Sequence, residues 1–382
     1  MLKFLPAPLV RRVARRGRRQ GAAGLLAVAL AAAAVAGCSS ASGASSPSGV
    51  RSGGPGNGIV IGFSQRRVAG SDWYKTLIAG AEAEAKALGA KIQVLDANGD
   101  SLQQDQDVQT LLTRGANAIV LNANDPLGVT AAVRAMRQAR VPFVEVNSNL
   151  APSLANQAAC YIEEDQVATG AKVGRAIGQD AIKRYGTSAN VKLAAVGGVP
   201  GDVLSELRWQ GFKQGYDSVM AKYPRFHTSV LPFQYGQWLP DQALPLIRDI
   251  ASANPSLKIV YSESDVMQAG IQHGLQDAGL WDNILEGSYD GGMNGVQPMV
   301  SNPNGQMQAD GANVPWDQGA EAVRLVVAAL KGQEKSVCPT GTDLISTPLV
   351  TPANARSYSN PGLTYVQIPL SQVTLTHAKT GD

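Results

Sequence analysis

Trp73 and Tyr74 stand side by side shortly after an apolar run, in the segment GIVIGFSQRRVAGSDWYK of residues 58–75. Gln65 opens the polar turn between the run and the two rings. Aromatic rings offer broad apolar faces, whereas amide and charged side chains form directional hydrogen bonds. Two interpretations follow. Either the rings begin a helix and one of them packs into a core, or they form the floor of a ligand-binding cleft whose rim is this turn.

Polar or aromatic side chains recur near the ends of the later apolar runs. They are Asn147 with Ser148, Arg208, Trp238, Ser264 and Asp290. Each residue alone is more typical of a helix cap or a packed ring than of a ligand contact. Their repetition after successive runs favours a binding cleft.

Motifs for catalysis are absent from the sequence, so we predict no catalytic residues. It has three histidines, at 227, 273 and 377, and lacks H-E-x-x-H, G-x-S-x-G and C-x-x-C. Glu163, Glu164 and Asp165 form an acidic cluster, but acids at the start of a helix usually complement the helix dipole. These features disfavour an enzyme without excluding one.

Two loops have partial resemblances to nucleotide and metal sites. Residues 197–201 read GGVPG, without the spacing of a phosphate-binding loop, and are better explained as a strand-to-helix turn near a cleft. Asp96, Asn98, Asp100 and Asp107 match some positions of a calcium loop, but position 6 is serine and position 12 is not glutamate. A capping turn explains them better. We predict no cofactor and no metal.

Short apolar runs alternate with helical patterns of 12 to 21 residues after the N-terminal segment. In the first part, strands are predicted at 59–63, 92–95, 118–121 and 141–146, with helices at 73–88, 102–114 and 129–140. The rhythm then restarts, with strands at 192–196, 229–231, 258–261 and 284–288 and helices at 166–185, 203–223, 240–253, 265–278 and 317–331. Such alternation predicts an α/β fold with two doubly wound, Rossmann-like lobes. Ligands of these sheets bind beyond the carboxyl ends of the strands.

The N-terminal segment has the features of an export signal. Seven basic residues precede the apolar stretch 21–36, which is short for a membrane-spanning helix. The following residues, 35–38, read VAGC and resemble the lipobox of bacterial lipoproteins, in which the cysteine is acylated. A signal peptide that merely ends near Cys38 is the alternative. Arg18 and Arg19 resemble part of a twin-arginine signal, so the sequence does not decide between export by the Sec route and by the twin-arginine route.

Residues 1–37 contain seven of the 33 Lys and Arg side chains and no acidic one, which leaves 26 basic against 30 acidic side chains. The mature chain therefore has no basic surplus for nucleic acid. Residues 38–57 are rich in Ser, Gly and Pro and are predicted to form a flexible tether. With Cys38 assigned to lipid, Cys160 and Cys338 remain, and in an exported protein a disulfide between them is favoured over two free thiols.

From Gly58 to Lys331 the sequence resembles the periplasmic sugar-binding proteins of ABC importers, typified by ribose- and galactofuranose-binding proteins. The resemblance rests on the order and spacing of several segments: GFSQ, SDWYKTLIAGAEAEAKALG, LLTRGANAIVLNANDP, ARVPFVEVNSN, SELRWQGF, SESDVMQAG, GSYDG and ANVPWDQGAEAV. It implies a periplasmic binding protein-like fold of type I, with two lobes joined by a hinge. We expect lobe 1 to comprise 58–162 with 315–345, and lobe 2 to comprise 163–314 with 346–382.

The resemblance also implies roles for residues. Trp73 and Tyr74 would stack on a ligand from one lobe and Trp238 from the other. Hydroxyl groups would be recognised by Arg208, Asp290, Ser264 and Asn313, with Gln65 as a further candidate. The family often has an Asp-Arg pair where this chain has Asn147 and Ser148, so either Arg66 or Arg67 compensates or the ligand differs.

These observations predict a lipid-anchored, extracytoplasmic, monomeric solute-binding protein that delivers a monosaccharide or polyol to an ABC permease. One alternative is a sensor ectoprotein of the same fold that reports its ligand to a membrane receptor. Another is an extracytoplasmic α/β enzyme. A transcription regulator is disfavoured, because a tether stands where a DNA-binding domain would precede this fold.

Overall fold

The computed structural model describes residues 58–379, which form two β-sheets flanked by helices. The predicted signal peptide 1–37, Cys38 and the tether up to 57 lie outside the described residues. The strands are β1 Val60–Gln65, β2 Lys91–Asp96, β3 Ala118–Leu121, β4 Phe143–Val146, β5 Cys160–Glu164, β6 Asn190–Gly197, β7 His227–Val230, β8 Gln234–Tyr235, β9 Leu257–Ser262, β10 Leu285–Asp290, β11 Met307–Ala312, β12 Gly341–Ile345, β13 Leu349–Val350 and β14 Leu375–Lys379.

The longer helices cover the faces of these sheets. The helices are α1 Asp72–Ala87, α2 Ser101–Thr113, α3 Thr130–Ala139, α4 Pro152–Ala155, α5 Gln166–Tyr185, α6 Val203–Met220, α7 Pro240–Ala253, α8 Gln268–Asp277, α9 Met293–Ser301, α10 Pro315–Leu330, α11 Glu334–Val337 and α12 Ala355–Tyr358. Within the described part of the chain, no helix is both long and apolar enough to cross a membrane.

The first sheet has the strand order β14-β12-β5-β4-β3-β1-β2, and the second has the order β13-β11-β10-β9-β6-β7 with β8 beside β6. All pairings are parallel except those of β14 with β12 and of β13 with β11. The strand order reverses at β1 in the first sheet and at β6 in the second, as it does at the switch point of doubly wound sheets. The predicted α/β fold with two doubly wound lobes is confirmed.

Strands β5 and β11 were not predicted from the sequence. Strand β5 reads CYIEE and β11 reads MQADGA, so polar residues interrupt the apolar runs that identify a buried strand. Both strands nevertheless pair with a strand on each side, and both lead into a crossing between the two sheets.

Between residues 58 and 379 the chain passes from one sheet to the other four times. The crossings lie at 164–166, 312–315 and 345–349, and a fourth follows between β13 and β14. Strand pairing therefore places β14 in the first sheet, whereas the sequence assigned the whole tail 346–382 to the second lobe. Near Thr364 the tail forms a single bridge, between Tyr365 and Gly292. The tail has too few apolar residues to reveal its partner strand in advance.

Two features fix the position of helix α1, which carries Trp73 and Tyr74. They are an N-cap at its first turn and close packing against α10. The Ser71 hydroxyl accepts a hydrogen bond from the Tyr74 N–H, which is an N-cap. Helix α1 packs against α10 through Gly80 and Gly319, where an added Cβ would overlap the backbone of Trp316 and of Leu77. These glycines let the two helices approach closely and so set the depth at which the rings lie.

Cys160, at the start of β5, and Cys338, just after α11, form a disulfide with a Cα–Cα distance of 6.0 Å. Both cysteines are buried. The bond lies at the amino end of β5, away from the carboxyl ends of the strands.

Candidate functional site

A cleft of about 660 Å³ lies at the carboxyl ends of the strands and is lined from both sheets. The first sheet contributes the loop after β1, the start of α1 and the residues after β3 and β4. The second contributes the starts of α6 and α7 and the residues after β9, β10 and β11. The C-terminal tail adds Thr364 and Tyr365.

Trp73 and Tyr74 form the aromatic part of the first wall. Their ring centroids are 5.3 Å apart and their planes meet at 86°, an edge-to-face arrangement. Trp73 also packs into the hydrophobic core of the first sheet and is only 7% exposed, so the ring both belongs to the core and lines the cleft. Tyr74 is less buried; burial raises the pKa of its hydroxyl, and Arg66 opposes that rise.

Arg208 is the charged centre of the second wall. Its Nε donates to Gln166 Oε1 at 2.7 Å, and its Nη1 donates to the Glu263 carbonyl at 2.6 Å and to Asp290 Oδ1 at 2.9 Å. The guanidinium lies over the Tyr289 ring, 4.0 Å from its centroid, in a cation–π contact. Burial lowers the pKa of Arg208, but Asp290 and other neighbours raise it by more, so the group stays charged.

Asp290, the last residue of β10, is held by three side chains. Besides Arg208, the Ser264 hydroxyl donates to its Oδ2 at 2.5 Å and Asn313 Nδ2 approaches its Oδ1 at 3.5 Å. Its φ of 109° is uncommon for a residue with a side chain, and such strain is often found at functional sites. Burial raises the pKa of Asp290, and Arg208 opposes that rise.

Trp238 faces the cleft from the start of α7. Its indole N–H donates to Asp202 Oδ2 at 3.3 Å, and Arg208 lies 5.6 Å from its ring centroid. The ring lies against Gly198, where any Cβ would overlap it. The glycine-rich loop 197–201 thus makes room for an indole.

Eight of the ten predicted binding residues line this cleft: Trp73, Tyr74, Asn147, Arg208, Trp238, Ser264, Asp290 and Asn313. Gln65 and Ser148 do not, and their placement in the lining was wrong. Gln65 Oε1 accepts from Asn122 Nδ2 at 2.7 Å, while Ser148 Oγ lies 3.0 Å from Asn122 Oδ1 and donates to the Ala123 carbonyl. Both side chains turn inward and hold Asn122 behind the wall.

The lining also contains residues that sequence reasoning did not select. They are Asn124, Asp202, Asn294, Thr364 and Tyr365, among others. Asn124 follows β3 within the quoted LNANDP segment, so its position after a strand was a usable signal. Asp202 is the N-cap of α6 and doubles as the acceptor for the Trp238 indole. Tyr365 arrives from the distant tail, for which no local pattern exists.

Arg66 and Arg67 line the first wall, where Asn147 and Ser148 replace the charge pair that the resemblance led us to expect. Neither arginine forms an ion pair within 4.0 Å in the described part of the chain. Arg66 is half-buried and Arg67 is exposed. Burial raises the pKa of the Tyr74 hydroxyl, and both arginines lower it.

In the acidic loop at 96–107, Asp96 and Asp100 accept hydrogen bonds from backbone N–H groups. Asp100 Oδ1 accepts from the Leu102 and Gln103 N–H groups and caps α2, while Asp96 accepts from the N–H groups of Val68 and Asn98. The capping explanation therefore accounts for these carboxylates.

The model of the family described as "Periplasmic binding protein domain" matches residues 61–334. The ribose import binding protein of Salmonella typhimurium is 26% identical over 262 residues, which is 69% of this chain and 82% of that protein. The D-apiose import binding protein of Actinobacillus succinogenes is 26% identical over 260 residues, covering 66% and 76% of the two chains.

Solved structures show the same architecture. An ABC transporter solute-binding protein from Mycobacterium smegmatis with bound glycerol superposes with a TM-score of 0.69 at 27% identity, covering 82% of this chain and 100% of that one. A galactofuranose-binding protein has a TM-score of 0.64 at 20% identity and covers 78% and 96%, a likeness of fold alone.

Proposed function

Because this chain belongs to the periplasmic binding protein domain family, we propose that it is the substrate-binding component of an ABC importer. It captures a small carbohydrate, a monosaccharide or polyol, in the cleft between its two lobes and delivers it to the membrane permease. The observation that carries this proposal is the pairing of opposed aromatic rings with the buried Arg208–Asp290 pair in one cleft. The import binding proteins and the glycerol-bound structure similar to this chain support it.

The chemistry of the two walls suits a polyhydroxylated ligand. Trp73 and Tyr74 on one side and Trp238 on the other offer faces to the C–H surfaces of a ring or chain. Arg208 donates and Asp290 accepts, so together they can engage neighbouring hydroxyl groups. Closure of the lobes would remove water from both faces of the ligand, as it does in other hinged binding proteins. The binding roles of all eight predicted residues in the lining are part of this proposal.

The proposal assigns the first wall's polar contacts to the half-buried Arg66 and to Asn124 and Asn147. The Arg66 guanidinium can only donate hydrogen bonds, whereas an asparagine amide both donates and accepts them. The ligand is therefore expected to present an oxygen acceptor to Arg66. No step of bond making or breaking is proposed, and the protein acts by binding.

We further propose that the mature protein is a monomer held on the outer face of the cell membrane by a lipid on Cys38, with 38–57 as tether. The division into lobe 1 (58–162 with 315–345) and lobe 2 (163–314 with most of the tail) belongs to the same proposal. Replacing Cys38 with alanine should abolish acylation and release the protein, yet leave ligand binding intact. Mass spectrometry of membrane fractions in which the wild-type N-terminus carries no lipid would contradict the anchor.

A thermal-shift screen with monosaccharides and polyols tests the binding function. A ligand that binds only the folded state raises its stability by about 2.7 kcal/mol at 100 times its Kd, so a true ligand should raise the melting temperature in a concentration-dependent way. The Arg208→Ala variant serves as the control that should not respond. Absence of any shift with carbohydrates, or turnover of a bound compound, would contradict the proposal.

A further inference from the structure

Glu163 lies near the end of β5, one residue before the crossing at 164–166, and is buried. Four donors converge on its carboxylate. The Glu164 N–H, Gln166 Nε2 and Gln318 Nε2 approach Oε1 at 3.0, 3.2 and 3.4 Å, and the Tyr161 hydroxyl donates to Oε2 at 3.2 Å. The N-cap of α5 is instead Asp165, which accepts from the Ala168 N–H. The sequence suggested that Glu163 complements the dipole of the following helix. In the structure Asp165 caps α5, and Glu163 does not.

The two glutamines that contact Glu163 also contact residues of the cleft. Gln166 Oε1 accepts from Arg208 Nε at 2.7 Å, and Gln318 Nε2 donates to Asn313 Oδ1 at 2.5 Å. Arg208 and Asn313 then meet at Asp290 Oδ1, at 2.9 and 3.5 Å. The contacts close a loop, the hinge ring, whose members are Glu163, Gln166, Arg208, Asp290, Asn313 and Gln318.

The hinge ring joins two crossings between the sheets to the second wall of the cleft. Glu163 and Gln166 flank the crossing at 164–166, while Asn313 and Gln318 belong to the crossing at 312–315 and the helix after it. Arg208, Asp290 and Asn313 line the cleft, but Glu163 does not. A change in the relative angle of the lobes turns both crossings, so it must alter the contacts at Glu163.

Resting on the binding function proposed above, we propose that Glu163 is a positioning residue for the ligand. From the hinge it holds the amides of Gln166 and Gln318, which orient Arg208 and Asn313 in the cleft. It thereby couples the arrangement of the hinge to the arrangement of the binding groups.

The charges around Glu163 make this role depend on its ionisation. Arg208 faces it from α6, Tyr161 and Glu164 from its own strand and Glu145 from β4, while α5 and α10 present the uncharged Gln166 and Gln318. Burial raises the pKa of Glu163 to about 7, against the hydrogen bonds and Arg208, which lower it. All four polar neighbours donate to the carboxylate, so the ionised form completes the ring and the protonated form loses a contact.

The test is calorimetric titration of wild-type protein, Glu163→Gln and Glu145→Gln between pH 6 and 8, with the best ligand from the carbohydrate screen. Glu145 is the matched control, since it is also buried, lies on neighbouring β4, accepts from the Leu150 N–H and is outside the hinge ring. At pH 8 we expect Glu163→Gln to bind about tenfold more weakly, because contacts to a charged acceptor become contacts to a neutral one. Glu145→Gln should bind like the wild type.

The pH profile separates positioning from a general loss of structure. Wild-type affinity should fall by up to about tenfold from pH 8 to pH 6, as one group takes up a proton, and the profile of Glu163→Gln should be flat. Gln318→Met, which cuts the link to Asn313 but keeps Glu163, supplies a second variant and should also weaken binding.

Wild-type affinity that does not change with pH, or Glu163→Gln and Gln318→Met variants that bind like the wild type, would overturn the proposal. Equal losses in Glu163→Gln and Glu145→Gln would overturn it as well. A wild-type protein that binds no carbohydrate at all would instead contradict the binding function.

Discussion

Arg208 and Asp290 form a buried ion pair in the second wall of the cleft, with 2.9 Å between Nη1 and Oδ1 and side-chain exposures of 5% and 6%. The two residues are 82 positions apart, one on α6 and one at the end of β10. Removing two charges from water is costly, and such a pair is weak evidence for stability. Its additional partners Gln166, Ser264 and Asn313 fix both groups in place before any ligand arrives, which favours a binding role.

Replacing Gly198 with alanine tests whether the position of the Trp238 ring matters for ligand binding. The new Cβ would overlap the indole, so the ring must move out of the second wall. Loss of one aromatic contact should weaken ligand binding about tenfold. Gly58→Ala, where a Cβ meets only an ordinary contact, is the control. Calorimetric titration that finds equal affinities for both variants would show that Trp238 does not contact the ligand.

The disulfide between Cys160 and Cys338 should stabilise the fold without affecting the cleft. It closes a loop across a sequence separation of 178, so Cys160→Ala with Cys338→Ala should cost about 2–5 kcal/mol of unfolding free energy. Because the bond lies at the end of β5 opposite the cleft, affinity should be unchanged. Denaturant unfolding, calorimetry and thiol labelling check this. Two labelled thiols in the unreduced wild-type protein would rule out the disulfide.

Glu286 should make the protein less stable as the pH rises. It is buried on β10, and burial raises its pKa from 4.5 to about 8. The folded state therefore binds the proton more tightly than the unfolded state, and the stabilisation is complete below about pH 4 and lost as the pH rises through about 8. Between these two pH values, Glu286 lowers the free energy of unfolding by about 1.4 kcal/mol for each pH unit.

The Glu286→Gln variant should remove that contribution, so its free energy of unfolding should depend less steeply on pH than that of the wild type. The exposed Glu82→Gln variant provides the control and should keep the wild-type slope. Denaturant unfolding at pH 5, 6, 7 and 8 measures the difference. Identical slopes for wild type and Glu286→Gln would show that the group titrates normally in the folded protein.

Where the sequence predicted the structure well, the signal was local. Apolar runs of three to six residues with helices between them identified most strands of both sheets, and residues beyond those runs, such as Trp73 and Asp290, do line the cleft. The same rule misplaced Gln65, because the last side chain of a strand can turn inward to a buried partner such as Asn122. Position after a strand predicts the edge of the sheet but not the direction of the side chain.

The features that the sequence did not reveal depend on contacts between distant segments. Strand β5 is interrupted by Glu163 and Glu164, whose partners lie on α5, α6 and α10, and β11 is interrupted by Asp310, which accepts from the Gly291 N–H after β10. Tyr365 reaches the cleft from the tail through a bridge to Gly292. The sequence does not show that the Glu163 carboxylate is buried, because its hydrogen-bond donors come from positions up to 155 residues away.

If the cleft binds a ligand, then Trp73, Arg208 and Trp238 should each contribute to its affinity. The most direct measurement is calorimetric titration of Trp73→Ala, Arg208→Ala and Trp238→Ala with the best ligand from the carbohydrate screen, alongside their melting curves. Trp281→Ala is the control, because Trp281 is partly buried like Trp238 but lies outside the cleft.

Trp73→Ala should also lower the melting temperature, since this ring is shared with the core. We expect each of the three cleft variants, when folded, to bind at least about tenfold more weakly than the wild type, and Trp281→Ala to bind normally. Folded cleft variants with wild-type affinity would contradict this expectation.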